Sequence, residues 1–348
     1  MKRMATKQLG LVSSLAAVGM LLAACGGGVN DASPSSAAAP ASQAASEAAS
    51  MAPSASAAAS AAPMADCGDW GVAMHAWVGY TASAQVVTNV AKDKLGCNIT
   101  QTTLDEGATT YDAIEAGSTD LIIEDWGGGR WQEWVDRGGV VDVGSNGNIG
   151  LIGMFVPQWM ADKYPDITDA ANLNKYSDLF KTPESGDKGA WYEGPPGYTT
   201  IGEKMIEAGK LNYKVINTGS EAALIDVFTK ADKNQTAALG YFYEPQNFLA
   251  KVPLARVNWP ANDWTDAAKA SGLTDYPKTD LQKIASAKLM ESGSPFATLV
   301  QNFTWTNDDQ NSVALAIEDG ATPEEAAQAW IDANPDKVAA WLDGTGAQ

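Results

Sequence analysis

Aromatic side chains follow three short apolar runs of this sequence. The run at residues 121–123 leads to Trp126 and then to three consecutive glycines, which give the loop wide backbone freedom. Two further runs lead in the same way to Trp77 and Tyr243. Ligands of open α/β sheets bind at the carboxyl ends of the strands, and aromatic faces attract cations. The pattern therefore predicts a site in which aromatic rings hold a cation, without the nucleophiles and bases of a catalytic site.

Few catalytic groups are present in the sequence. It contains one His and three Cys, and it has no G-x-S-x-G segment and no cluster of metal-ligand residues. We therefore predict that the protein is not an enzyme and that it uses no metal and no cofactor. A pair of acids is enough for glycoside hydrolysis, so an exported hydrolase is an alternative that a turnover measurement would test.

Residues 1–25 are typical of an export signal. Three basic residues precede a mostly apolar stretch that is too short and too interrupted for a membrane span. The stretch ends at Leu-Ala-Ala-Cys25, which resembles a bacterial lipobox, whose Cys is lipidated; an ordinary signal peptide is the alternative. Residues 26–65 are almost all Ala, Ser, Pro and Gly and indicate a disordered linker. We expect an exported lipoprotein, held by Cys25 in the periplasm or on the outer face of the cell membrane.

The remaining residues, 66–348, predict an α/β fold. Strand-like and helical segments alternate, which indicates a largely parallel sheet covered by helices. Because roughly 280 residues exceed one typical core, we expect two lobes. The first is formed by residues 66–152 and 240–348, and the second by residues 153–239. Two crossings between lobes make a hinge with a cleft that suits a small ligand. The formal net charge of −19 argues against a nucleic acid partner.

Cys67 and Cys97 are the two cysteines of the predicted folded part. An oxidising envelope favours a disulfide between them. Closing a loop of about 30 residues contributes roughly 3 kcal/mol to stability in the chain-entropy model. Two free thiols are the alternative.

Several stretches between Cys67 and Leu342 carry a family resemblance. They are AWVGY at 76–80, LGC at 95–97, DLIIEDWGGG at 120–129, YFYEPQNFLAKVPL at 241–254, FTWTNDDQNSVALAIEDG at 303–320 and ANPDKVAAWL at 333–342. The sequence resembles the glycine betaine/choline substrate-binding proteins of ABC importers. The resemblance implies a type II periplasmic-binding fold with a cleft between two lobes. It also implies delivery of a quaternary amine to an ABC permease and its ATPase.

The resemblance further implies an aromatic cage. Trp77, Trp126 and Tyr243 match cage positions of the family, although many relatives have Trp in place of Tyr243. A quaternary ammonium group has no N–H to donate, so aromatic faces or carboxylates must recognise it. Three aromatic residues of the GAWYEGPPGYTT segment are candidates for closing the cage from the second lobe; they are Trp191, Tyr192 and Tyr198. Ordinary packing is the alternative for each of these side chains.

A betaine ligand also carries a carboxylate, which needs hydrogen-bond donors. Our candidates are the backbone N–H groups of Val78, Gly79 and Tyr80, which precede a helix predicted from Ser83. His75 is adjacent and is either a further donor or a structural residue.

The sequence indicates a quaternary amine as the ligand but does not identify which one. We rank glycine betaine or proline betaine as the first expectation, choline as the second and carnitine as the third. Many relatives have His after the Glu-Pro pair, and Gln246 at this place weakens the case for a carboxylate ligand. Glu124 and Asp125 either attract the ammonium group or orient the loop. A sensor lipoprotein that binds without transport is the remaining alternative.

Overall fold

The computed structural model describes residues 66–127, 129–195, 197–260 and 264–347. The predicted lipobox at Cys25 and the linker at residues 26–65 lie outside these residues. The chain divides into two compact units, residues 1–59 and 60–348, and every described residue belongs to the second unit. No helix of the described residues is long and apolar enough to cross a membrane.

Nine strands of the described residues form one mixed sheet, in the order β2-β1-β3-β9-β4-β7-β5-β6, with β8 beside β4. Their bounds are β1 (Asp69–Met74), β2 (Asn98–Thr103), β3 (Leu121–Asp125), β4 (Val140–Pro157), β5 (Gly189–Glu193), β6 (Tyr213–Asn217), β7 (Gly240–Glu244), β8 (Leu254–Val257) and β9 (Lys278–Ser286).

The sheet contains two groups of parallel strands. β1 pairs in parallel with β2 and β3, and β5 pairs in parallel with β6 and β7. The pairings of β4 and β9 are antiparallel. The prediction of a largely parallel sheet is therefore wrong for half of the pairings, because these two strands run against their neighbours and join the two groups.

The two parallel groups define the two lobes. We call the part built on β1, β2 and β3 the first lobe, and the part built on β5, β6 and β7 the second lobe. β4 belongs to both, since residues 140–151 pair with β9 and residues 151–157 pair with β7 and β8. The lobe boundary at residue 240 stays a prediction, but this pairing favours a later return to the first lobe, at Lys278. The predicted boundary coincides with the start of β7. Its apolar sequence indicates a buried strand but does not indicate which strands it pairs with.

Fourteen α-helices pack around the sheet in the same residues. They are α1 (Val78–Leu95), α2 (Ala108–Glu115), α3 (Gln132–Arg137), α4 (Gln158–Lys163), α5 (Leu173–Tyr176), α6 (Gly202–Ala208), α7 (Glu221–Asn234), α8 (Phe248–Lys251), α9 (Asp266–Ser271), α10 (Ala287–Glu291), α11 (Pro295–Asn302), α12 (Asn307–Glu318), α13 (Pro323–Ala333) and α14 (Pro335–Trp341). Short 3₁₀ segments lie at Pro165–Thr168, Ala170–Asn172 and Ser177–Phe180.

Local signals explain several helix ends. α13 begins with a capping box, in which Thr322 and Glu325 satisfy each other's backbone N–H groups. α1 ends at Gly96, whose φ of 69° lies in the left-handed region that favours glycine. α1 begins at Val78, five residues before the predicted start, so that the backbone N–H groups proposed for a carboxylate belong to its first turn.

A disulfide joins Cys67 and Cys97, whose Cα atoms are 4.8 Å apart. It connects the segment just before β1 to Cys97, the residue that directly precedes β2. The bond therefore holds two neighbouring parallel strands of the first lobe together at their amino ends, opposite the edge at which the aromatic residues lie.

Candidate ligand-binding site

A cavity with about 270 Å³ of empty space lies where the parallel strands of both lobes end. The first lobe provides the residues that follow its strands, and the second lobe provides residues of β7 and of the loop after β5. The lining consists of Trp77, Glu106, Trp126, Ile152, Tyr198, Thr199, Tyr241 and Tyr243.

Aromatic rings of the two lobes meet edge to face in this cavity. The centroids of Trp77 and Tyr198 are 5.9 Å apart, with an interplanar angle of 85°. The centroids of Trp126 and Tyr243 are 5.5 Å apart, at 81°, and those of Tyr198 and Tyr243 are 5.9 Å apart, also at 81°. Four of the sequence candidates therefore lie together, and Tyr241 joins them at 5.9 Å from Tyr198.

Glu124, the fourth residue of β3, fixes both cage tryptophans. Its Oε1 accepts the indole N–H of Trp126 at 2.8 Å and that of Trp77 at 3.1 Å. Its Oε2 accepts the hydroxyl of Ser83 at 2.8 Å. The carboxyl group is fully buried, and burial raises its pKa. Of the two roles predicted for Glu124, the geometry favours orientation of the rings over direct attraction of the ligand.

The loop after β3 is positioned by Asp125 and by closely fitting glycines. Asp125 accepts the hydroxyl of Tyr111 and the backbone N–H of Gly127, both at 2.6 Å. A Cβ atom on Gly150 of β4 would lie 2.7 Å from the ring of Trp126, so only glycine leaves room for this ring. A Cβ atom on Gly194 would lie 2.5 Å from the ring of Tyr198.

His75 and Tyr80 support Trp77 from behind and do not line the cavity. The His75 ring stacks on Trp77 with centroids 5.3 Å apart and an angle of 7°, and its Nδ1 is bonded to the Leu104 carbonyl. Burial lowers the pKa of His75 to about 4, so the imidazole is neutral at physiological pH. Tyr80 is fully buried, with its hydroxyl accepting the backbone N–H of Ile123. The geometry therefore assigns both residues to packing rather than to ligand contact.

The first of the predicted donors for a ligand carboxylate is occupied by a side chain of the protein. The N–H of Val78 donates to Oε2 of Glu221, at the start of α7 in the second lobe, at 3.1 Å. Gly79 lies against Gln310, whose Nε2 would be 2.3 Å from a Cβ atom at this position. Gln246 donates to Oε1 of Glu221 at 2.6 Å. These groups serve an internal carboxylate in place of the predicted ligand.

Glu106 is the charged residue of the lining and is not among the site residues predicted from the sequence. Its side chain is 6% exposed, and its Oε1 lies 3.7 Å from the Arg130 guanidinium. Burial raises the pKa of the carboxyl to about 8; the neighbouring Asp125 adds to the rise and Arg130 opposes it. Arg130 also donates to Thr199 at 3.1 Å, which connects the first lobe to the second beside the cavity.

The two other candidates of the second lobe do not line the cavity. Trp191 is fully buried in β5, donates to Glu193 at 2.9 Å and packs against Trp259 at 5.9 Å. Its prediction as a cage residue is corrected, because its ring belongs to the core of the second lobe. Tyr192 is partly buried and packs against the same core. Of the three aromatic candidates in this segment, only Tyr198 reaches the cavity.

Sequence signals existed for some of the missed residues. Tyr241 is two residues before Tyr243 in one strand, and alternate residues of a strand share a face. Glu106 follows β2, whose carboxyl end lies at the same edge as those of β1 and β3. For Ile152, Thr199 and Glu221 we find no such signal.

Residues 71–333 match the family model described as the substrate binding domain of the ABC-type glycine betaine transport system. The glycine betaine/carnitine transport binding protein of Listeria monocytogenes is 32% identical over 129 residues, which are 37% of this chain and 39% of that protein. The trimethylamine N-oxide-binding protein of Pelagibacter ubique is 25% identical over 278 residues, or 76% of this chain and 87% of that protein. The chain thus matches well under half of the first relative and most of the second.

The fold is also similar to solved structures. The structure of an ABC-transporter choline binding protein in complex with choline aligns with a TM-score of 0.67 and 20% identity, and the alignment covers 80% of this chain and 92% of that one. At this identity the similarity shows the two-lobed periplasmic-binding fold.

Proposed function

Because the chain belongs to the family of substrate-binding domains of ABC-type glycine betaine transport systems, we propose that its cavity captures the quaternary ammonium group of a small ligand. The protein then delivers the ligand to the permease of an ABC importer. Glycine betaine, choline and carnitine share the trimethylammonium group that the cage would bind.

One observation carries this proposal: five aromatic rings from both lobes surround a single cavity. A desolvated aromatic face contributes about 0.5 to 2 kcal/mol to the binding of a cation. Three or four such faces together with apolar burial correspond to micromolar affinity, about 8 kcal/mol. The Glu124 carboxylate fixes two of the rings in advance, which lowers the entropy lost on binding.

Contacts between the lobes support a mechanism of closure without chemistry. The bonds from Val78 to Glu221 and from Arg130 to Thr199 join the lobes on either side of the cage. A ligand that touches Trp126 and Tyr243 together favours this closed arrangement over an open one. It shifts the equilibrium only by its preference for the closed state, and the closed state is the form that docks on the permease.

The remaining expectations from the sequence form part of the proposal. The protein is exported, Cys25 carries the lipid anchor, and residues 26–65 give the ligand-binding part reach above the membrane. The binding of the ligand leaves it chemically unchanged, so that mass spectrometry after incubation recovers it intact. The protein works with a permease and an ATPase and binds no nucleic acid.

Calorimetry with glycine betaine, proline betaine, choline and carnitine tests the ligand class. We expect micromolar binding of at least one of the four compounds. A matched control is 3,3-dimethylbutan-1-ol, which has the shape of choline without its charge and is expected to bind much more weakly. Absence of binding by all four amines would contradict the proposal, and equal binding of the neutral control would contradict recognition of the cation.

A further inference from the structure

Two internal carboxyl groups, Glu106 and Glu221, affect how a charged ligand could bind in the cavity. The first lines the cavity, and the second holds the helix N–H group that a ligand carboxylate would need. We propose that the site selects a methylated amine with a net positive charge and no carboxylate, for which choline is the probe, and that the Glu106 carboxylate makes the charged contact with it. This inference rests on the proposed function and narrows its ligand class.

The hydrogen-bond donors around the cage disfavour a ligand carboxylate. A carboxylate ligand needs N–H or O–H groups, and several donors near the cage are already used inside the protein, whereas the Tyr198 hydroxyl of the lining has no partner among the described residues. Both cage indoles donate to Glu124, while the Tyr243 hydroxyl and the Val78 N–H donate to Glu221. A ligand carboxylate would therefore find the Tyr198 hydroxyl but not the donors already bound to Glu124 and Glu221, so much of its desolvation penalty of several kcal/mol would stay uncompensated.

The charge of the cavity lining favours a cationic ligand. Among the described lining residues, Glu106 is the one that carries a charge, and the others are aromatic, aliphatic or hydroxyl-bearing. Arg130 is the nearest cation, but it lies outside the lining, is 46% exposed and donates to Thr199. When Glu106 is ionised, a ligand with a positive charge therefore gains from it, whereas the carboxylate of a zwitterion is repelled by it.

Glu106 must be ionised to make this contact with a cation. The groups that act on it are Asp125 and Glu124 of β3, which raise its pKa, and Arg130, which lowers it. The phenol groups of four tyrosines also lie close enough to interact with it; they are Tyr80, Tyr111, Tyr198 and Tyr241. Burial raises the pKa of Glu106 to about 8, so binding of a cation near neutral pH displaces a proton.

The sign of the pH dependence follows from this displacement. Affinity for choline should rise with pH and level off above a pH of about 8, where Glu106 is ionised before binding. A ligand that accepts a hydrogen bond from protonated Glu106 should show the reverse, since it favours the neutral form. The direction of the change therefore distinguishes a cation from a zwitterion or an N-oxide.

The test compares choline with glycine betaine on the full-length protein by calorimetry between pH 6 and 9. The two compounds share the trimethylammonium group and differ in a hydroxyl or a carboxylate. We expect choline to bind at least about tenfold more tightly than glycine betaine. Glycine betaine that binds as tightly as choline overturns the inference while leaving the proposed function intact. Absence of binding by both overturns the proposed function as well.

Glu106→Gln provides the second measurement. It keeps the size of the side chain and removes the charge, so choline should bind about tenfold more weakly and lose its pH dependence. Glu133→Gln is the matched control, because Glu133 is 66% exposed and pairs with Arg137 on the surface. Unchanged choline affinity in a folded Glu106→Gln variant would overturn the contact. Trimethylamine N-oxide that binds more tightly than choline, and more weakly as the pH rises, would overturn it too, because Glu106 would then be a donor.

Discussion

The indole nitrogens of Trp77 and Trp126 donate to the same oxygen atom, Oε1 of Glu124. The two residues follow different strands and lie 49 positions apart in the sequence, yet one buried carboxylate determines the orientation of both rings. Glu124 therefore does not need to touch a ligand to govern its binding, because it holds two walls of the cage in the geometry that a cation requires.

Removal of this carboxylate should loosen the cage. Glu124→Ala leaves two buried indole N–H groups without an acceptor, and each unsatisfied group costs about 1–3 kcal/mol. We expect a lower free energy of unfolding in denaturant titrations and a ligand affinity at least about tenfold weaker. Glu124→Gln keeps an acceptor oxygen and should restore most of both. Equal affinities of the alanine variant and the wild type would contradict the role as a positioning residue.

Trp126 should contribute to binding and little to folding. Trp126→Ala removes one wall of the cavity, and we expect at least about a tenfold loss of affinity, since an aromatic face and its apolar contacts exceed the 1.4 kcal/mol that this factor represents. Circular dichroism should show an intact fold. Trp159→Ala, in α4 and away from the lining, serves as the control and should leave affinity unchanged. An unfolded Trp126→Ala variant would show that the ring is part of the core.

Gly150 should be required for the position of Trp126. In Gly150→Ala, the added methyl group would meet the Trp126 ring at 2.7 Å and push it into the cavity. Ligand affinity should therefore fall, and the fluorescence of the protein should respond less to ligand. Gly139→Ala is the control, because the nearest atom to its Cβ would be Cγ of the flexible Glu115 side chain, at 3.1 Å, and the Glu115 backbone stays at 3.5 Å, an ordinary contact distance. Tight binding by the Gly150 variant would mean that the ring has another place to go.

The disulfide should stabilise the first lobe without affecting the ligand. Replacing Cys67 and Cys97 together by Ser should lower the free energy of unfolding by roughly 3 kcal/mol in the chain-entropy model. The bond lies at the amino ends of the strands, while the cavity lies at their carboxyl ends, so affinity should stay within twofold or so of the wild type. A large loss of affinity in a folded double variant would reveal a coupling between the two edges.

The ligand-free protein should lose stability as the pH rises above 5. The pKa of Glu106 is raised from 4.5 to about 8, so its contribution to stability is complete below the lower value and is lost as the pH approaches the higher one. The slope from this group is at most about 1.4 kcal/mol per pH unit. Denaturant titrations at several pH values should show this decrease in the wild type and a smaller one in Glu106→Gln. Identical pH profiles would exclude Glu106 as the cause.

Local patterns predicted much of the site because its parts follow strands. The apolar run that precedes Trp126 is β3, the aromatic residue after it lines the cavity, and Trp77 follows β1 in the same way. The alternation of residues in β7 would also have identified Tyr241 beside Tyr243. The aromatic character of Trp191 predicts a cage residue, but alternation along β5 does not tell which face of the strand is turned to the core.

By itself the sequence determined the α/β class, the family, the strand ends that carry aromatic residues and the cysteine pair, because each depends on local patterns or on residue type. Only the tertiary structure decided what the donors of the site do. Glu221 and Val78 are 143 positions apart, and their hydrogen bond exists only because two lobes meet at one edge. The approach of Glu106 to the aromatic rings has the same origin. The charge at a cavity and the partners of its hydrogen-bonding groups come from residues that are far apart in the sequence, so no single segment predicts them.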